Sequence, residues 1–359
     1  MRFPSQMFRP SAVFSIESQT GKTPRRTGTS MWKFFPALLV LFAAVATQAQ
    51  QYTKIVVFGD SLSDTGNDAV LSYLQFGVPI PGPAADYTLG RFTDGPDTLP
   101  PAQNYFGVWV EQMAAALPAH PMVVASLQGG TNYAYGFAKT GSGTTLLTFG
   151  PDDEFIEVEN VGQQIDDYLA TNPSIDNHTL FVVWAGANDV LEAGSAGDVV
   201  NGALDEVEDI QRLIHAGATQ FLVPNLPPLG LTPRFNTSSA SAATANEASV
   251  LFNTTLDAGV SILPLLNFGK HLTINRLNAF TLLKQIVASP ASYGLLNANS
   301  SSQLMLVDPD LYLFWDDLHP TTRGHDIVAM DALKLIEPAG CLMQLGPDQY
   351  VGRSAPGCR

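Results

Sequence analysis

Short apolar runs recur along this chain, and several end abruptly in glycine and polar residues. Residues 55–58 (IVVF) and 180–184 (LFVVW) are continuous apolar runs of the kind found in strands buried on both faces. Shorter runs at 122–125, 221–223 and 272–274 predict further strands. Between them the spacing changes to that of helices. Residues 199–215 place Val200, Leu204, Val207, Ile210 and Ile214 on one side. Residues 155–170 place Val158, Val161, Ile165 and Leu169 at helical intervals. Further helices are predicted at 68–74, 108–117, 253–263 and 322–336. Strands alternating with helices predict an α/β fold with a doubly wound parallel sheet.

The polar clusters fall where such a fold builds its sites. Gly59-Asp60-Ser61 follows the first strand, and AGAND (185–189) follows the run at 180–184. Ligands of open α/β sheets bind at the carboxyl ends of the strands. Other segments read as loops. These are 77–101, dense in Gly and Pro and containing GRFTDGP (90–96), the glycine-rich QGGTNYAYGFAKTGSG (128–143), and 293–303. Residues 236–249 are rich in Ser, Ala and Thr, and 316–322 form a polar turn. No internal repeat is visible.

Composition adds an address. Residues 31–49 (MWKFFPALLVLFAAVATQA) read as a secretory signal peptide, with Lys33, an apolar run and a small-x-small end. The run is too short to span a bilayer comfortably. Residues 1–30 then read as a disordered or over-extended N-terminal segment, 50–337 as the folded domain and 338–359 as a tail. The whole chain has 18 basic and 33 acidic residues. Six of the former and one of the latter precede residue 50, so the remainder carries a formal charge of −20. Such a surface repels nucleic acid, anionic membranes and acidic polysaccharides, and favours neutral or cationic substrates. A secreted monomer with no nucleic-acid partner and no stable membrane association is the expectation. Four N-x-[ST] sequons, at Asn177, Asn236, Asn253 and Asn299, fit an extracellular glycoprotein. The two cysteines, Cys341 and Cys358, both lie in the tail and read as one disulfide. A loop of that size contributes about 3 kcal/mol on chain-entropy grounds. Neither has a His or Cys neighbour at metal-ligand spacing, so no metal is expected.

The candidate chemistry begins at Ser61. A serine at the end of a buried strand is placed to act as a nucleophile, and equally placed to cap a helix. A serine hydrolase also needs a base, a carboxylate to orient it, and oxyanion donors. Of six histidines, His319 alone lies in a suitable setting, WDDLHPTTRGH, with Asp316 and Asp317 just before it. An Asp and a His three apart on one turn can pair. His325 falls inside the last helix and reads as structural. Asn188 of GAND offers a side-chain amide, NYAYG an exposed backbone N–H, and Ser61 its own N–H.

GDSLSDTGN, NYAYG, GAND and DDLHP, in this order, resemble the blocks of the SGNH (GDSL) hydrolases, from residue 55 to about 336. The resemblance implies a flavodoxin-like three-layer α/β/α sandwich with no metal or cofactor. By it, Ser61 is the nucleophile, His319 the general base, and Asp316 its partner. Ser61, Gly136 and Asn188 are the oxyanion donors. Many relatives carry two glycines where this chain has Gly136-Phe137, so the backbone donor belongs to either position. AGSAG (193–197) falls short of a complete G-x-S-x-G, which argues against an ordinary α/β-hydrolase. Within the family, GRFTDGP, NYAYG and FWDDLHPT look most like fungal carbohydrate esterase family 16 acetylesterases. That resemblance implies a secreted acetylesterase acting on acetylated hemicellulose oligosaccharides. Phe92, Tyr133, Tyr135, Phe137, Trp184 and Trp315 are then candidates for stacking on sugars, or for the core. Two further readings are a lipase or phospholipase acting on longer acyl esters, which needs a long apolar groove, and a non-catalytic secreted binding protein.

Overall fold

The computed structural model describes residues 52–87, 90–95, 105–149 and 154–337. Along them run β1 (Lys54–Gly59), α1 (Asn67–Phe76), α2 (Trp109–Ala116), β2 (Thr144–Phe149), β3 (Glu154–Glu159), α3 (Val161–Thr171), β4 (Thr179–Trp184), α4 (Ala187–Glu192), α5 (Ala196–Ala216), β5 (Gln220–Pro224), α6 (Ser239–Leu266), β6 (Thr273–Leu277), α7 (Ala279–Ala288), β7 (Asn297–Ser301), β8 (Tyr312–Phe314) and α8 (Thr322–Ile336). The expected signal peptide and the pair Cys341 and Cys358 lie outside the described residues.

β1, β4, β5 and β6 form one parallel sheet in that order. A further segment lies along the free edge of β1. Val57 N–H donates to Thr131 O (3.0 Å), Tyr133 N–H to Val57 O (2.8 Å) and Tyr135 N–H to Gly59 O (3.3 Å). With 131–135 counted as an edge, the chain order across the sheet is 2-1-3-4-5, the flavodoxin-like winding. The expected strand at 122–125 is therefore displaced. That stretch contributes only one bridge, from Ala125 to Asn132, and the glycine-flanked segment after it takes the sheet edge.

Strand side chains alternate between two cores, which makes the three layers. Val56, Phe58, Phe181, Val183, Phe221 and Val223 face α3, α5 and α6. Ile55, Val57, Leu180, Val182 and Leu222 face α2 and α8. Helix α6 is longer than its sequence predicts. Its buried residues, Ala245, Ser249, Phe252, Asn253, Leu256, Val260 and Leu263, recur at helical spacing, but the Ala, Ser and Asn among them hide the stripe.

Two other expectations change. The helix expected over 155–170 begins as strand, because residues 155–159 belong to β3, which pairs antiparallel with β2, and the helix α3 starts only at Val161. Ile156 and Val158 are buried while Phe155 is 48 % exposed, a period-two pattern concealed by the helical spacing from Val158 onward. The expected loop at 293–303 contains β7, which pairs with β8.

Candidate active site

The strand order reverses between β1 and β4. After β1 the chain turns to the edge at 131–135, and after β4 to β5. Both polar clusters sit at this switch point, one past the end of each strand.

The GDSLSDTGN block is a self-bonded turn. Asp60 O accepts from Ser63 N–H and Asp64 N–H, both at 3.0 Å. Asp60 Oδ1 accepts from Leu62 N–H at 3.0 Å. Asp64 Oδ1 accepts from Gly66 and Asn67 N–H (2.7 Å each), which starts α1. Asn67 Nδ2 donates to Asn132 O and Ala134 O, 2.9 Å each, tying this turn to the NYAYG segment. Ser61 is the residue left over. Its N–H makes no hydrogen bond among the described residues, and its Oγ lies 2.8 Å from His319 Nε2.

His319 comes from the turn between β8 and α8. Its Nδ1 lies 2.6 Å from Asp316 Oδ2. Asp316 Oδ1 accepts from the N–H groups of Leu318 (2.7 Å) and His319 (2.6 Å), so the turn itself aims the carboxylate. Asp317 points away, is 54 % exposed and pairs with Arg234 at 3.1 Å. Burial raises the affinity of Asp316 for a proton, but His319 beside it outweighs this and holds the carboxyl well below the usual range. Burial pulls His319 down, and the charge of Asp316 more than reverses this, leaving the imidazole above its ordinary value. Asp60 is buried and, chiefly through desolvation, pushed up to about 7. His325 is buried inside α8, where desolvation depresses it to about 3 and keeps it neutral.

Asn188 lies in the first turn of α4. Gly186 before it has φ 100°, and a Cβ there would sit 2.1 Å from the Phe252 ring, so only glycine serves. Asn188 Nδ2 donates to Ala138 O at 2.9 Å, leaving its second amide proton available. Asp189 accepts from Thr140 N–H and Oγ1–H at 3.1 and 2.9 Å. The GAND block therefore also clamps the loop after NYAYG.

Gly136, expected as an oxyanion donor, is turned elsewhere. Its N–H donates to Asp64 Oδ2 at 3.4 Å. A Cβ at 136 would lie 2.4 Å from both Asp68 Oδ2 and the Phe92 ring, so the glycine is needed for space. Phe137 has φ 63°, and its N–H makes no hydrogen bond among the described residues. The pair of glycines common in relatives is met here by a phenylalanine held in the left-handed region.

Residues 90–95, read above only as a long loop, brace the histidine turn. Thr93 Oγ1–H donates to Pro320 O at 2.9 Å, and Asp94 Oδ1 accepts from Thr322 N–H at 2.6 Å at the start of α8. No spacing rule links these residues.

Ser61 and His319, with Asp60, Asn188 and Thr232, line a mostly apolar pocket whose empty space, counted out into the open solvent at its mouth, is about 770 Å³. Leu282, Leu283 and Ile286 of α7, Phe314 of β8 and Val328 of α8 supply much of its apolar lining. Four of the six candidate stacking aromatics, Phe92, Tyr135, Trp184 and Trp315, are at most 4 % exposed and belong to the core. Among the sequons, Asn177, Asn236 and Asn299 are exposed. Asn253 is not available for a glycan. It is buried in α6, where its amide is bonded at 2.8 Å to both the N–H and the C=O of Leu226.

The chain matches the GDSL-like Lipase/Acylhydrolase family over residues 55–332. It is 25 % identical over 314 residues to the thermolabile hemolysin of Vibrio parahaemolyticus, covering 80 % of this chain and 65 % of the hemolysin. It is 27 % identical over 363 residues to the phosphatidylcholine-sterol acyltransferase of Aeromonas hydrophila, covering 86 % and 98 % of the two chains. Esterase EstA of Pseudomonas aeruginosa is 30 % identical over 335 residues, 80 % of this chain and 48 % of EstA. Among solved structures, Axe2, an acetylxylan esterase from Geobacillus stearothermophilus, superposes with a TM-score of 0.38 at 12 % identity, covering 80 % of this chain and 96 % of Axe2. The match over 55–332 spans β1 through most of α8 and takes in Ser61, Asn188, Asp316 and His319, so the chain belongs to the GDSL-like lipase/acylhydrolase family of carboxylic-ester hydrolases.

Proposed function

We propose that this protein is a secreted serine esterase that hydrolyses acyl esters with chains longer than acetyl. The observation that carries the reading is the Ser61–His319–Asp316 chain of contacts opening into an apolar cavity. In this reading Ser61 Oγ attacks the ester carbonyl while His319 Nε2 takes its proton. The imidazolium, held by Asp316, then protonates the departing alcohol. Water, activated by the same histidine, releases the acid from the acyl-serine. The carbonyl oxygen, as it gains charge, is met by the N–H groups of Ser61 and Phe137 and the free amide proton of Asn188. This moves the backbone donor from Gly136 to Phe137.

The acyl chain occupies the cavity. Burying each added methylene there is worth about 0.8 kcal/mol, while few polar groups are present to replace the water around a sugar hydroxyl. The purified protein, assayed on 4-nitrophenyl acetate, butyrate, octanoate and laurate beside acetylated xylo-oligosaccharides, is expected to show kcat/KM rising from acetate to octanoate. Highest activity on acetate, with acetic acid released from the oligosaccharides, would sink this reading in favour of the second one, an acetylesterase acting on hemicellulose fragments. That second reading is favoured by the blocks resembling fungal acetylesterases and by the formal charge of −20 after residue 49, which suits neutral sugars.

Asn188→Ala is expected to lower kcat by about 10²- to 10³-fold with little change in KM, as for loss of one oxyanion donor. A change in KM alone would remove Asn188 from the transition state.

A further inference from the structure

Asp316 is held from a direction that the sequence blocks do not include. Tyr87 O–H donates to Asp316 Oδ2 at 2.5 Å, the same oxygen that faces His319 Nδ1 at 2.6 Å. We infer that Tyr87 is a positioning residue of the catalytic triad, its phenol sharing Asp316 Oδ2 with the imidazole and limiting how strongly the carboxylate draws a proton to His319. The inference rests on the triad reading given above.

The phenol is placed by more than one contact. Its ring meets those of Phe92 and Trp315 edge-on, at 6.3 and 6.4 Å between centroids. Phe92 in turn lies 5.2 Å from the His319 ring. Two residues before the tyrosine, Ala85 O accepts from Gln303 Nε2 at 2.5 Å. Gln303 N–H donates to Trp315 O at 2.7 Å, next to the acid itself. The chain on both sides of the contact is therefore fastened to the triad turn.

With Tyr87, four donors converge on one carboxylate, two on each oxygen. Hydrogen bonds to a carboxylate spread its charge and stabilise the ionised form. Removing one leaves more charge for the imidazolium, so His319 binds its proton more tightly. Tyr87 itself stays a donor, since burial and the neighbouring Asp316 push its hydroxyl far above the usual phenol range. The other charged or titratable groups acting on His319 are Asp60 after β1, Arg234 after β5 and His325 in α8, with Asp317 paired to Arg234. Tyr87→Phe alters none of them and keeps the ring contacts.

The test is the pH dependence of kcat/KM for the parent and Tyr87→Phe proteins. The parent profile is expected to fall on the acid side with a midpoint above that of an ordinary imidazole. In Tyr87→Phe that midpoint is expected to rise by about half a pH unit, roughly a threefold loss below it. A role in packing alone would lower activity equally at every pH, so a midpoint that stays put or falls overturns the inference. The same displacement is expected without turnover, in NMR titrations of the His319 imidazole in Ser61→Ala and in Ser61→Ala/Tyr87→Phe. Full activity in Ser61→Ala would overturn the triad reading and the inference with it. An inactive Ser61→Ala beside an unmoved Tyr87→Phe midpoint would overturn the inference alone.

Discussion

Ser61→Ala is expected to reduce ester hydrolysis by about 10⁴- to 10⁶-fold while leaving the protein folded. Among the described residues the hydroxyl makes one hydrogen bond, 2.8 Å to His319 Nε2, so its removal breaks no structural hydrogen bond there. The turn around it is held by main-chain bonds to Asp60 O and by Asp64, neither of which involves the Ser61 side chain. The cavity is unchanged, so an alkyl boronate or long-chain ketone should still enter it, without the covalent adduct. Residual turnover would come from water attacking an ester polarised by the remaining oxyanion donors. Initial rates on 4-nitrophenyl octanoate, with a thermal melt as control, decide the matter. A loss smaller than tenfold would mean that another group attacks the ester.

Asp316→Asn is expected to cost about 10⁴-fold in kcat, and Asp317→Asn no more than about threefold. Asp316 receives His319 Nδ1 at 2.6 Å and both neighbouring backbone N–H groups. An asparagine amide cannot accept on both sides. It either presents N–H₂ to Nδ1, stabilising the wrong tautomer, or gives up the backbone bonds that aim it. It also removes the negative charge that stabilises the imidazolium. Asp317 is the next residue, but it is 54 % exposed and bonded to an Arg234 that is itself 43 % exposed. An exposed pair of this kind contributes 0 to about 1 kcal/mol to stability, and Arg234 acts on His319 only through its charge, without touching the ring. Matching losses in the two variants would show that the turn as a whole, and not the placement of one carboxylate, is what matters.

The parts of this protein that could be read from its sequence are those whose cause is local. Apolar runs announce β1, β4 and β5, since a strand buried on both faces has few polar positions to offer. The edge strand β6, half-exposed and carrying Asn275 and Arg276, is announced only by its first residues. Ser61 and Asn188 mark the ends of β1 and β4, where the pattern breaks. Asp316 and His319 lie three apart on one turn, so their contact is set by neighbouring residues. Tertiary structure alone decided the rest. Tyr87 reaches Asp316 across 229 positions and Asp94 reaches Thr322 across 228, and no periodicity relates residues so far apart. The edge position went to 131–135 and not to 122–125, a pairing with Val57 that appears only in the assembled sheet. Asn253 looks like a surface sequon until α6 packs and its amide satisfies Leu226. The apolar cavity draws its walls from β4, α7, β8 and α8 at once, so its reach into the protein is a property of their packing. A chain carries in its local order what one turn or one strand can satisfy alone, and buried polar groups and cavities are shared between distant segments, so they exist only once those segments meet.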